Sequence, residues 1–171
     1  MKLKLKWVLL SLVTVCSQIS YSTESIDKFI NSHQEEYQQL ALKIWELAEV
    51  GYQEHKSSAL LQESLSSKGF KVETLPYMPT GFIAEYGEGS PVIAILGEFD
   101  ALPGVSQSSS PFKEKYKNNA AGHACGHHLF GAGSAWSAVT VKEWLSRNNK
   151  KGTIRFYGTP AEEGGSGKVY M

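Results

Sequence analysis

Cysteine is nearly absent from this chain: Cys16 and Cys125 are the only two among 171 residues. A disulfide-stapled scaffold is therefore excluded, because two cysteines allow at most one bridge. Charge of one sign is missing too. The 17 Lys and Arg balance the 17 Asp and Glu, so there is no electrostatic footprint for a nucleic-acid partner. Long apolar runs are absent except for Trp7 to Val15, which falls short of the ~20 residues a spanning helix needs.

That single run follows Lys2, Lys4 and Lys6 and precedes Ser20-Tyr21-Ser22. A basic start, an apolar centre and small residues at a cleavage site read as a secretory leader over residues 1–22, with an uncleaved anchor as the alternative. Val15, directly before Cys16, is too bulky for lipoprotein processing. The mature chain, residues 23–171, would then be periplasmic or secreted, without stable membrane association. It would carry 14 basic and 17 acidic residues and keep Cys125 as its one thiol. A lone thiol held in an oxidising compartment needs a reason, and metal ligation supplies one. At 42% hydrophobic residues overall, the chain suits one globular domain.

Periodicity predicts the elements. Ile26, Ile30, His33, Tyr37, Leu40, Ile44 and Leu47 recur at spacings of three and four, which predicts a helix over 25–50 ended by Gly51. A second helix is expected over 54–68, stopped by Gly69. The charges on both helices, Glu54 among them, read as solvated faces, and His33 and His55 as structural or exposed. Strands are expected at 71–75 and 82–86, separated by a turn around Pro76, Pro79 and Gly81. The run 91–96 is continuous and apolar, as for a strand buried on both faces. Residues 106–119 form a long polar loop. A helix over 129–147 and a strand over 153–157 complete an α/β fold, with a mixed or mostly parallel sheet and flanking helices. In such sheets ligands bind beyond the carboxyl ends of the strands. Asp100, the cluster around Cys125 and Glu162/Glu163 all sit at strand ends or a helix start.

Gly122-His123-Ala124-Cys125-Gly126-His127-His128 is the densest chemistry in the chain. Thiolate and imidazole are ligands for Zn²⁺ and similar divalent metals. On a regular helix Cys125 and His127 would point about 200° apart. They can share a metal only from an irregular turn, for which Gly122 and Gly126 supply the freedom. A helix N-terminus there would favour the Cys125 thiolate. A cysteine nucleophile served by His123 or His127 is the alternative. Glu162-Glu163 places two repelling carboxylates on a turn, which favours a nearby cation. One carboxylate can then ligate while the other takes a proton from the attacking water. Asp100 can orient a ligating histidine. Gly164-Gly165-Ser166-Gly167-Lys168 is not a phosphate loop, because Glu162 and Val169 occupy positions that need Gly and Ser or Thr.

Gly97-Glu98-Phe99-Asp100-Ala101-Leu102-Pro103-Gly104, Gly122-His123-Ala124-Cys125-Gly126-His127 and Pro160-Ala161-Glu162-Glu163-Gly164-Gly165 together resemble the metal-dependent amidohydrolases of the aminoacylase/carboxypeptidase superfamily. The similarity is greatest to the aminobenzoyl-glutamate hydrolase B-subunit group. The resemblance implies the N-terminal part of a di-metal, aminopeptidase-like catalytic domain. It implies Cys125, His127 and Glu163 as metal ligands, Glu162 as general base and Asp100 as the acid supporting the site. It also implies two divalent ions, Mn²⁺ or Zn²⁺, and a small-molecule N-acyl amino acid substrate. His128 stands where the branch usually has Asp, and Glu98 where more distant relatives have a ligating His, so neither receives a role, nor does His123. The resemblance further implies later histidine ligands and an inserted dimerisation domain, which makes the full-length form a homodimer. On that reading these 171 residues are an N-terminal portion, inactive alone.

Overall fold

The computed structural model describes residues 25–171, and the leader read from residues 1–22 lies outside them. Contacts divide the chain into two units, Met1–Gln34 and Glu35–Met171. In the first, residues 25–32 are helical. The chain then turns at His33, whose N–H donates to Ile30 O at 3.3 Å and whose Nδ1 lies 3.1 Å from Phe29 O. The single helix expected over 25–50 is therefore interrupted, and the following helix α1, Gln34–Leu47, stops short of 50.

In the second unit α1 buries Tyr37, Leu40, Ala41 and Ile44, the stripe its spacing predicts. Helix α2, His55–Ser67, turns Leu61 and Leu65 inward. Glu49 caps it, accepting from Lys56 N at 3.2 Å, Ser57 N at 2.7 Å and Ser57 Oγ at 2.8 Å. Then come strands β1, Lys71–Leu75, β2, Met78–Glu88, and β3, Val92–Glu98, followed by helix α3, His127–Arg147, and strand β4, Gly152–Thr159. The sheet runs β1-β2-β4-β3. Pairs β1/β2 and β2/β4 are antiparallel and β3/β4 is parallel, so the sheet is mixed. Helix α2 packs on β1 and β2, α3 packs on β3 and β4, and the two helices touch. Phe82, Phe99, Phe156 and Ile154 are fully buried beneath them.

Two strand expectations need correction. The turn before β2 is only Pro76-Tyr77, since Leu75 already pairs with Met78. The next register pair is Thr74 with Phe82, so Pro79, Thr80 and Gly81 form a bulge within β2, where a proline leaves no ladder bond unmade. β3 is not buried on both faces. It pairs only with β4 among the described strands, and Val92, Ile93 and Leu96 are exposed. No described helix is long and apolar enough to cross a membrane.

Candidate metal centre

Parallel pairing sets the stage. β3 and β4 run side by side and finish level, with Glu98 opposite Thr159, so the segments leaving their carboxyl ends start as neighbours. One carries Glu98 and Asp100, the other Glu162 and Glu163. The third segment arrives with α3. Its N-terminus can approach β3 because of two glycines. A Cβ on Gly131 would lie 2.6 Å from Glu98 O, and one on Gly97 would lie 2.7 Å from Phe156 Cζ and 3.3 Å from Gly131 Cα. The loop before α3 is tied to the Asp100 segment by a reciprocal pair of 3.0 Å bonds between Leu102 and Gly122. Gly126, at φ +84°, makes the irregular step that puts Cys125 outside the helix and His127 on its first turn.

His127 is the centre of the cluster and is 4% exposed. Its Nδ1–H donates to Asp100 Oδ1 at 2.9 Å and Asp100 O at 3.1 Å. Nε2 is thereby turned toward carboxylates, at 3.0 Å from Glu98 Oε2, 3.8 Å from Glu162 Oε2 and 3.9 Å from Glu163 Oε1. A lone pair facing three acids is a poor arrangement unless a cation or a proton lies between them. Asp100, 1% exposed, holds the opposite wall as well: its Oδ2 accepts from Glu163 N–H at 2.9 Å. Asp100 thus orients both His127 and Glu163, which is a positioning task.

Two groups of donor atoms converge within 4.8 Å: Cys125, His127 and Glu163, and Glu98, His127 and Glu162. Ligand bonds of about 2.0–2.3 Å put tetrahedral neighbours about 3.5 Å apart, so modest closure suits either group to a divalent ion. Glu163 Oε1 supports the fit, since it is buried without a hydrogen bond. The first group is the chemically complete one, with a sulfur, a nitrogen and an oxygen donor. Both groups use the same imidazole.

The lowering of the Cys125 pKa expected from the α3 N-terminus is opposed by the acids around the thiol. Without a cation, Glu163 against the thiol pushes it up, followed by desolvation and the charges of Glu162 and Glu98. This is the reverse of what a cysteine nucleophile needs. His123 and His128 belong to neither donor group. Their rings lie 5.0 Å apart, and His123 Nε2–H donates to Ile44 O at 3.1 Å. Burial, with the His128 charge beside it, pushes the His123 pKa down to about 4.

Two acids were not recognised in the sequence. Glu98 is a wall of the site, paired on its other oxygen with Lys168. The available signal was its spacing: Glu98 and Asp100 flank the buried Phe99, so strand alternation puts both on one side. Glu54, read as part of a solvated face, is 0% exposed. Its Oε1 accepts from Ala161 N–H at 2.8 Å, and burial raises its carboxyl pKa.

Acids, an imidazole and a thiol gathered beyond parallel strand ends define a candidate metal-binding domain of the α/β class. Residues 94–171 match Peptidase family M20/M25/M40, and the chain belongs to that family. It is 43% identical over 150 residues to the p-aminobenzoyl-glutamate hydrolase B-subunit of Escherichia coli (strain K12), covering 85% of this chain and 31% of that protein. It is 35% identical over 117 residues to N-acetylcysteine deacetylase of Bacillus subtilis (strain 168), covering 67% of this chain and 30% of that protein. Among solved structures it is similar to the Bacillus subtilis YXEP protein, a dinuclear metal binding peptidase of the M20 family. That likeness has a TM-score of 0.60 and 30% identity, over 80% of this chain and 38% of the other. The chain spans about a third of the length of the curated relatives it matches.

Proposed function

We propose that this chain contributes the metal-binding core of an amidohydrolase that cleaves N-acyl or N-aroyl amino acids, aminobenzoyl-glutamate being the leading candidate. The observation that carries this reading is the convergence of Cys125, His127 and Glu163 with Glu162 beside them. The relatives named for aminobenzoyl-glutamate and N-acetylcysteine supply the substrate class. Cys125, His127 and Glu163 would hold one ion of a Mn²⁺ or Zn²⁺ pair. Divalent ions bound here would polarise the amide carbonyl and make a water ionise near neutral pH.

The remaining work falls to the chain. Asp100 fixes the His127 tautomer so that Nε2 is the ligating atom. Glu162, with 41% of its side chain exposed, is the carboxylate open to incoming substrate. It takes a proton from the attacking water as the carbon–oxygen bond forms. It returns that proton to the amine nitrogen as the carbon–nitrogen bond breaks. In the full-length protein, Glu162→Gln should abolish turnover of aminobenzoyl-glutamate while metal content stays near normal. Metal lost together with activity would assign Glu162 to ligation.

For the 171 residues alone we propose metal binding without turnover. One imidazole and one thiolate shared with carboxylates cannot complete two coordination spheres. Robust amide hydrolysis by this chain would overturn that reading. Removal of residues 1–22, delivery to the periplasm or exterior, and a full-length homodimer complete the proposal.

A further inference from the structure

We infer that Glu54 is a positioning residue for this site, acting through Ala161 to hold Glu162 and Glu163 in place. The inference rests on the metal-site reading above for its consequence, and on geometry for its mechanism. Glu54 is wholly buried and distant in sequence from every ligand. It lies at the N-terminal end of α2, yet its side chain makes no capping bond there. Glu49 performs the capping instead, which leaves the Glu54 carboxylate to reach across to Ala161 N–H at 2.8 Å.

Ala161 is where that bond matters. It is 1% exposed and sits at φ +54°, ψ +44°, a left-handed conformation that an alanine holds only when its surroundings enforce it. The next two residues are Glu162 and Glu163, so the direction of both carboxylates depends on this one twist. The 49–54 turn enforces it from several sides. Gly51 leaves room, since a Cβ there would lie 3.0 Å from Ala161 Cβ. Tyr52 Oη–H donates to Gly165 O at 2.6 Å, just past the glutamates.

The same turn also grips the other half of the site. Ala101 N–H donates to Glu49 O at 2.8 Å, and Val50 pairs with Ala101 in a parallel bridge. Residues 49–54 therefore tie the Asp100 segment to the Glu162 segment. The 2.9 Å bond from Glu163 N–H to Asp100 Oδ2 closes the third side of this frame. A residue that only filled space would contribute to stability without selecting the twist at Ala161. The geometry assigns Glu54 the task of selecting it, and any acceptor at Oε1 suffices, amide or carboxylate.

The test uses the 171-residue chain, Glu54→Ala and Glu54→Gln, with two readouts. Co²⁺ titration follows the Cys125 thiolate–cobalt absorption, and hydrogen exchange follows the Ala161 amide. Glu54→Ala should weaken Co²⁺ binding ~10–100-fold, the usual effect of losing a residue that supports metal ligands, and should unprotect the Ala161 amide. Glu54→Gln should restore both. Urea unfolding of each variant accounts for any general loss of stability. The inference is overturned if Ala161 stays protected in Glu54→Ala, whatever happens to cobalt. It is also overturned if amide protection falls but affinity does not. If the unaltered chain shows no thiolate–cobalt band, the metal reading fails separately. Ala161 protection lost in Glu54→Ala and kept in Glu54→Gln would still support the positioning role.

Discussion

Asp100 spends both carboxylate oxygens on the site, one on His127 Nδ1–H and one on Glu163 N–H. An amide cannot do both, because it has one acceptor atom and would turn N–H donors toward whichever partner is left. Asp100→Asn should therefore cost metal affinity ~10–100-fold with little change in fold. Competition against a chromophoric chelator measures this, and unchanged affinity would remove Asp100 from its supporting role. His123 makes a separate prediction, for the metal-free chain. Its folded pKa is pushed down to about 4, below the ~6.5 of an unfolded histidine. The unfolded state therefore takes up the proton first as pH falls. The contribution of neutral His123 is intact above pH ~6.5 and lost progressively down to about 4. With partial exposure discounted, the swing is on the order of 2 kcal/mol. His123→Gln should flatten the dependence of urea-unfolding stability on pH between 7 and 4.5, and equal slopes would contradict it. Much of the residue scale was legible in the sequence, because thiols and imidazoles are rare here and ligand chemistry selects them. Glu54 and Glu98 were not. Burial left no mark of Glu54 in periodicity, and its partner Ala161 is 107 residues away. Glu98 left only its alternation with Asp100, and its partner Lys168 is 70 residues away.

At the scale of elements, the approach of α3 to β3 delivers His127 to Asp100. Gly131 is the contact point, 2.6 Å from Glu98 O for any added Cβ, and the obstacle is backbone that cannot rotate aside. Gly131→Ala should force helix and strand apart and cost roughly 1–3 kcal/mol, the typical effect of overpacking. Gly133 lies on the same helix with nothing near its missing Cβ. There the same substitution should stabilise, by up to ~1 kcal/mol from helix propensity alone. Thermal melts of the pair test the idea, and a shared sign would refute it. The helices and strands themselves were largely readable from spacing. The exceptions have physical causes. The β2 bulge hid behind Pro79 and Gly81, which read as a turn until Met78 is seen paired with Leu75. The break at His33 falls within an unbroken apolar pattern, which fixes a face and not continuity. β3 has the composition of a buried strand but, among the described strands, only β4 beside it, and composition cannot count neighbours.

For the molecule as a whole, the site is a concentration of negative charge. Glu98, Asp100, Glu162 and Glu163 crowd one imidazole, and only Glu98 has a lysine partner among the described ion pairs. A cation entering here would relieve repulsion throughout the second unit, so binding should register as folding stability. At a free Zn²⁺ concentration of 100 times Kd the gain is ~2.7 kcal/mol. For a chain of this size that corresponds to a rise in Tm of about 5–10 °C. The effect should also depend on pH in one direction. Glu163 and its neighbours hold the Cys125 thiol above its ordinary pKa without metal, so binding must expel a proton, and affinity should climb as pH rises. Cys125→Ser removes the sulfur donor and that proton, so both the Tm shift and its pH dependence should shrink together. Melts of the two chains at several pH values, with Zn²⁺ and then with excess chelator, provide the measurement. A Zn²⁺ shift of equal size and equal pH slope in Cys125→Ser would mean that the cation binds the acids alone and that Cys125 is a bystander.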